Sequence, residues 1–322
     1  MQQRIVFHIG YPKTATSWLQ RGVYPELDGV NYLGRSYYKK SKSEKLFNRV
    51  LHRLPWKPAP VTKLIKSPTP HSQWIQEIGY AADGEYNRDE IRGTLDTVMQ
   101  ADKLNVISHE GLCKPYLEEM VAERIRDLAG DLDVKIVISI RRQPELIMSR
   151  YTHDFHIKRW QYKLADVLDR EGTLFCNYPA CQHGRIRCLC EQRGGKVIFL
   201  EHYNFLRVYN MYAERFGADR VFVLVFERLF EDGAQEFLRY FNFLGLNPGA
   251  SEIQRFMTRP PQGKNSQADK ETVRKFNGPG LNNLLAEFRD YYAASNAELS
   301  RTCGLNLQDY GYVPGARESK VQ

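Results

Sequence analysis

The chain has 322 residues, of which 42% are hydrophobic and 26% charged. This is ordinary globular usage, which excludes a disordered, collagen-like or disulfide-scaffold protein. Forty-six Lys and Arg against 38 Asp and Glu leave a net charge of +8. That biases the surface toward anionic partners but falls below the density of a dedicated nucleic-acid binder, so no nucleic-acid partner is expected. No apolar run approaches the roughly 18 to 20 residues of a spanning helix, so no transmembrane segment is expected. At the N-terminus Arg4-Ile5-Val6-Phe7 runs into polar His8 and Gly10 rather than into a secretory pattern, and the expected location is cytoplasmic.

In chain order, residues 4–9 form a short β-branched and aromatic run that ends at Gly10-Tyr11-Pro12, and residues 14–24 carry helix-compatible apolar positions up to Pro25. Strand, loop and helix are predicted there. Residues 34–60 are basic, aromatic and Pro-rich and are read as irregular. Residues 104–108 are strand-like and 115–129 helical. Residues 134–140 are almost unbroken apolar, the pattern of a parallel strand covered on both faces. Pro144 opens another helix. Phe205, Tyr209, Tyr212 and Phe216 recur at helical spacing, 221–226 reads as a buried strand, and Phe237, Phe241 and Leu244 line a helix ending at Gly245. The alternation predicts an α/β fold: a parallel sheet with helices on both faces. With no repeat and no low-complexity linker, one domain over residues 1–322 is expected, carrying a Cys-containing insertion at about 172–195.

Two segments carry phosphate chemistry. The first is His8-Ile9-Gly10-Tyr11-Pro12-Lys13-Thr14-Ala15-Thr16-Ser17-Trp18. A loop that leaves a buried strand and enters a helix aims backbone N–H groups at one point, Lys13 adds a charge, and Thr14, Thr16 and Ser17 add hydroxyls. It is not a Walker A loop, because Pro12 stands where that pattern needs Gly. The second is Ile140-Arg141-Arg142-Gln143-Pro144 followed by Ser149. An arginine at the end of a buried strand sits where open α/β sheets bind ligands, and a serine eight residues on can face the same crevice.

Together the two segments resemble the sulfotransferase family that uses phosphoadenosine phosphosulfate (PAPS), in a bacterial, carbohydrate-sulfotransferase-like form. Residues 12–18 look like its 5′-phosphosulfate loop, P-K-[ST]-G-T-[ST]-W, and Arg141 with Ser149 looks like its 3′-phosphate motif. Weaker likeness continues through 222–229 and 241–246. The resemblance implies a P-loop-like α/β fold, PAPS as co-substrate, adenosine 3′,5′-bisphosphate as product and no required metal. By position, Pro12, Lys13, Thr14, Ala15, Thr16, Ser17 and Trp18 would form the donor site. Lys13 would contact the transferring group, the hydroxyls of Thr14, Thr16 and Ser17 the 5′-phosphate, and Trp18 the adenine. Arg141 and Ser149 would bind the 3′-phosphate. Ala15 departs from the family's Gly, so the turn must tolerate a Cβ. Lys264, in Arg259-Pro260-Pro261-Gln262-Gly263-Lys264, occupies the place of a loop that closes over the nucleotide, without matching its sequence.

Transfer to a hydroxyl needs a base. Glu110, in Ile107-Ser108-His109-Glu110, is the first candidate, followed by His109 and then His71. Trp56, Trp74 and Trp160, with the aromatic and basic residues of 34–60, suit a carbohydrate or glycolipid acceptor and would serve a phenolic or peptide acceptor too. Cys176, Cys181, Cys188 and Cys190 are spaced C-x4-C-x6-C-x-C, poor for zinc. Free thiols are expected there, with zinc or disulfides as alternatives. Two competing readings are a P-loop small-molecule kinase and a non-catalytic polyanion binder.

Overall fold

The computed structural model describes residues 2–34, 74–75, 77–79, 81, 85–115, 117–157, 162–170, 197–258 and 267–314. Among them, five strands form one sheet: β1 (Arg4–His8), β2 (Val30–Tyr32), β3 (Leu104–Ser108), β4 (Asp133–Ile140) and, late in the chain, Val221–Val225. Two short intervening strands, β5 (Leu168–Asp169) and β6 (Ile198–Phe199), pair separately, which makes the late strand β7. The order in the main sheet is β2-β3-β1-β4-β7 and every pairing is parallel. β1 is therefore central, and connections leave it toward both edges. The crevice beyond its C-terminal end is the topological switch point at which such sheets hold ligands.

The strands are apolar because both faces are covered. Val134, Ile136, Ile138 and Ile140 of β4 enter one core and Val137 the other, while β7 alternates Val221, Val223 and Val225 with Phe222 and Leu224. The first core lies under helices α3 (Glu118–Ala129) and α5 (Phe205–Phe216), which contact each other. The second lies under α7 (Gly233–Leu244), whose Phe237, Tyr240, Phe241 and Leu244 are buried. Between these come α4 (Gln143–Ile157) and the single turn α6 (Arg228–Glu231). The parallel sheet flanked by helices on both faces is as the sequence predicts.

Local signals place the helix ends. The Asn204 side chain accepts from the Arg207 amide and starts α5. Gly245 closes α7 with φ 71°, its amide and that of Leu246 reaching back to Asn242 and Phe241. The predicted helix over 14–24 is irregular: α1 is one turn, Thr16–Trp18, which widens into a π-helix over Leu19–Val23 and tightens into a 3-10 turn over Tyr24–Glu26. The sequence reading did not identify β2, α2 (Arg88–Val98), α8 (Ala250–Met257), α9 (Gln267–Asn277) or α10 (Gly280–Thr302). Residues 35–60, His71, the insertion at 172–195 with its four cysteines, and Lys264 lie outside the described residues.

Candidate active site

The loop after β1 continues along the edge of β4. The Ile9 amide donates to the Val137 carbonyl at 2.9 Å and the Tyr11 amide to the Ser139 carbonyl at 3.3 Å. The chain then turns sharply: Lys13 has φ 73° and Ala15 φ 64°, the two non-glycine residues of the described chain in the left-handed region. Alternation of hand in successive residues turns their N–H groups toward one concave side, the geometry of an anion-binding nest. The Trp18 and Leu19 amides close on the Ala15 carbonyl at 2.8 and 3.2 Å and begin the helix. Among the described residues, the amides of Ala15, Thr16 and Ser17 find no acceptor. Pro12, Lys13, Ser17 and Trp18 are half-buried. The Trp18 ring lies 5.5 Å from that of Phe237, on the second core.

The hydroxyls of the loop are not equivalent. Thr14 is fully buried, and its Oγ1 donates to the Tyr11 carbonyl at 2.5 Å and meets Ser139 Oγ at 2.8 Å. Thr16 Oγ1 also reaches the Tyr11 carbonyl, at 3.3 Å. In this conformation the Thr14 hydroxyl braces the loop from below, a task the sequence gives no hint of.

Arg141 follows the last residue of β4. Its Nη1 donates to the Lys13 carbonyl at 3.2 Å, and the guanidinium lies 4.5 Å over the Phe226 ring. The fold thus brings together two motifs 128 positions apart in sequence. Arg141 Nε is buried and has no hydrogen-bond partner. Burial lowers the guanidinium pKa from its ordinary value, so an anion placed here would relieve a desolvated cation. Behind it, the Arg142 amide donates to Glu227 Oε1 at 3.2 Å and the Tyr312 hydroxyl to Glu227 Oε2 at 2.7 Å. Burial pushes the Glu227 carboxyl up from its usual value. Gln143 and Asn296 exchange amide hydrogen bonds at 2.8 and 3.1 Å, pinning the start of α4. Ser149 is half-buried on that helix.

On the other side of β1, His8 pairs in register with Ser108, and the His109 amide donates to the His8 carbonyl at 3.1 Å. His109 and Glu110 therefore leave β3 at the level where Ile9 and Gly10 leave β1. His109 Nδ1 accepts from the Gly111 amide at 2.8 Å and caps the turn over Glu110–Leu112. Both side chains are half-buried. Trp74, expected to stack on a sugar, is 2% exposed within the first core, and its burial removes it from that role. Trp56 and Trp160 lie outside the described residues.

A three-residue polar layer under the loop escaped the sequence reading. His8, Ser108 and Ser139 are each fully buried at or near the ends of β1, β3 and β4. Burial lowers the His8 pKa to about 3. A polar residue near the C-terminal end of a largely apolar strand was the available signal, and it occurs in all three strands.

A parallel α/β sheet with a nest of free amides, a lysine and a half-buried arginine at its switch point defines a phosphate- or sulfate-handling protein. A family model described as the sulfotransferase domain matches residues 3–272, and the chain belongs to that family. It is a sulfotransferase enzyme. Among solved structures, the chain is similar to a sulfotransferase from Alicyclobacillus acidocaldarius at 17% identity and TM-score 0.51, covering 96% of this chain and 99% of that one. Mouse sulfotransferase SULT7A1 complexed with PAP gives 12% and 0.43, over 94% and 89%. Sulfotransferase STF9 from Mycobacterium avium gives 11% and 0.44, over 90% and 77%. A search of curated protein sequences returned no match. No helix among the described residues is long and apolar enough to cross a membrane.

Proposed function

We propose that this sulfotransferase takes the sulfuryl group from PAPS and passes it to a hydroxyl acceptor, a carbohydrate or glycolipid, by in-line transfer without a required metal, and that the chain acts as one domain. The observation that carries the reading is the bond between Arg141 Nη1 and the Lys13 carbonyl, which holds the two candidate phosphate sites side by side. The residues fit the donor: the nest amides of 15–17 and the Ser17 hydroxyl suit a 5′-phosphate, and the buried, unpartnered Nε of half-buried Arg141 suits a 3′-phosphate. Thr14 and Thr16 serve that site chiefly by holding the loop, since their hydroxyls are turned to the Tyr11 carbonyl.

PAPS supplies a sulfuryl group on a phosphate leaving group. Lys13 adds positive charge where negative charge develops. Glu110 takes the acceptor proton, with His109 and His71 as the next candidates. Trp18 offers its ring to the adenine, Ser149 joins Arg141 at the ribose phosphate, and Lys264, outside the described residues, is a further nucleotide-binding candidate. The carbohydrate acceptor is supported by the net charge of +8 and the aromatic and basic residues of 34–60. The cytoplasmic location belongs to the same proposal, and the thiols of Cys113 and Cys303 are free.

Calorimetry tests the donor. Adenosine 3′,5′-bisphosphate is expected to bind far more tightly than AMP or ATP, with EDTA making no difference. Arg141→Ala should erase about tenfold to 100-fold of that preference, the worth of one charge-assisted hydrogen bond. Mg²⁺-dependent ATP binding indifferent to the 3′-phosphate would instead favour a kinase, and binding of any polyanion with no nucleotide preference a non-catalytic binder.

A further inference from the structure

We infer that His8 is a positioning residue for sulfuryl transfer, held as the Nε2–H tautomer in a one-way chain of hydrogen bonds that runs beneath the loop from Gln20 to the Tyr11 carbonyl. The inference rests on the reading of that loop as the donor site. The direction of the chain follows from its two ends. The Tyr11 carbonyl can only accept, and Thr14 Oγ1 donates to it at 2.5 Å. A hydroxyl has one hydrogen, so Thr14 must accept from Ser139 Oγ at 2.8 Å. The Ser139 hydrogen is then spent, and Ser139 must accept from His8 Nε2 at 3.0 Å.

At the other end the Gln20 amide nitrogen can only donate. It reaches the Ser108 carbonyl at 2.9 Å and Ser108 Oγ at 3.3 Å. The Ser108 hydroxyl turns its own hydrogen to His8 Nδ1, 2.7 Å away. The Tyr11 end demands a proton on Nε2, and the Ser108 hydroxyl, which accepts from Gln20 and has its own hydrogen to give, suits a bare Nδ1. An imidazolium would point a second N–H at Ser108 and turn that hydroxyl around. Burial also keeps the ring neutral, and the Tyr24 ring meets it edge-on at 5.9 Å.

The chain matters because of where it ends. Thr14 stands between Lys13 and Ala15, both in left-handed backbone conformations that non-glycine residues adopt only when their surroundings hold them there. Its hydroxyl makes the shortest of the side-chain bonds to that turn, beside those from Thr16 Oγ1 and Arg141 Nη1, and Ser139 and His8 fix the hydroxyl. Gly10 belongs to the same construction: a Cβ there would come within 1.8 Å of Ser139 Oγ and 2.7 Å of His8 Nε2. Loss of the His8 donor frees Ser139 and Thr14 to rotate, and the Lys13 ammonium loses its fixed position at the donor.

The test has two parts on the full-length chain. Long-range proton–nitrogen spectra of histidine side chains in ¹⁵N-labelled protein should show one imidazole with protonated Nε2 and bare Nδ1, unchanged between pH 8 and 5 and absent from His8→Gln. An Nδ1–H tautomer or an imidazolium at His8 overturns the inference. The glutamine amide can accept from Ser108 and donate to Ser139 with the same polarity, whereas leucine can do neither. His8→Leu should raise KM for PAPS and weaken adenosine 3′,5′-bisphosphate binding, each about tenfold, and His8→Gln should restore most of both. Wild-type binding in a folded His8→Leu, or a His8→Gln no better than His8→Leu, overturns the inference. Lys13→Ala separates the two levels: full transfer and binding in that variant would refute the donor-site reading itself, and with it the role of His8, whatever tautomer the spectra show.

Discussion

Ala15 occupies a position that glycine is built for. Its φ of 64° crowds the Cβ against the following carbonyl, at a cost of about 1–2 kcal/mol. Ala15 stands where the loop pattern it resembles has Gly, and the backbone keeps the left-handed turn despite the methyl group. Ala15→Gly should therefore raise stability by about 0.5–1 kcal/mol, the relief being partly offset by the freedom glycine gains in the unfolded chain. Denaturant titration of the variant beside the parent measures it. A loss of stability would mean that residue 15 does not need a positive φ.

At the scale of elements, the end of β3 sets its two candidate bases in different surroundings. The parallel register sets His109 and Glu110 beside the start of the loop, yet they are used differently. His109 Nδ1 is occupied by the Gly111 amide at 2.8 Å, so this side chain caps a turn. Glu110→Gln should lower kcat by ~10² to 10⁴, the usual worth of a general base, with PAPS affinity unchanged. His109→Ala should instead lower stability by about 1 kcal/mol, as loss of a cap does, and leave most of kcat. Steady-state kinetics with melting curves on both variants checks this. A dead, folded His109→Ala beside an active Glu110→Gln would transfer the role to His109.

At the scale of the whole molecule, two imidazoles among the described residues, His8 and His202, are fully buried. Burial lowers the pKa of both His8 and His202. Beside His202, burial alone would raise the Glu118 carboxyl, but His202 and Arg207 outweigh it and hold it below its ordinary value. The folded state thus binds fewer protons than the unfolded chain below the ordinary histidine pKa of about 6.5. Stability contributed by these groups is complete above that pH and is lost as pH falls through it, His8 continuing to about 3. The slope approaches ~1.4 kcal/mol per pH unit for each buried histidine. Chemical denaturation between pH 7 and 5 should show stability falling with acid, and His8→Gln should lower the slope by up to one histidine's worth. Flat stability across that interval would mean that the imidazoles are not held neutral.

The amino-acid sequence by itself determined the strands β1, β3, β4 and β7 and the loop after β1, because a parallel sheet covered on both faces needs unbroken apolar runs and a phosphate loop needs polar donors directly after one. Arg141 was legible for the same local reason, as a charge at the end of such a run. The C-terminal helices α9 and α10 were not, since their buried positions are sparse among exposed polar ones and pack chiefly against α4 and α5. The tertiary structure alone decided which side chains meet. His8, Ser108 and Ser139 are single polar residues 100 and 131 positions apart along the two contacts they make. Only the register of β1 with β3 and β4 sets them in one layer. Trp74 reads as a candidate surface for sugars until packing buries it. The Thr14 hydroxyl reads as a phosphate donor until the turn at Lys13 directs it inward. In each case side-chain chemistry was visible in the sequence, but its direction depended on backbone hand and strand register, which arise from contacts distant along the chain.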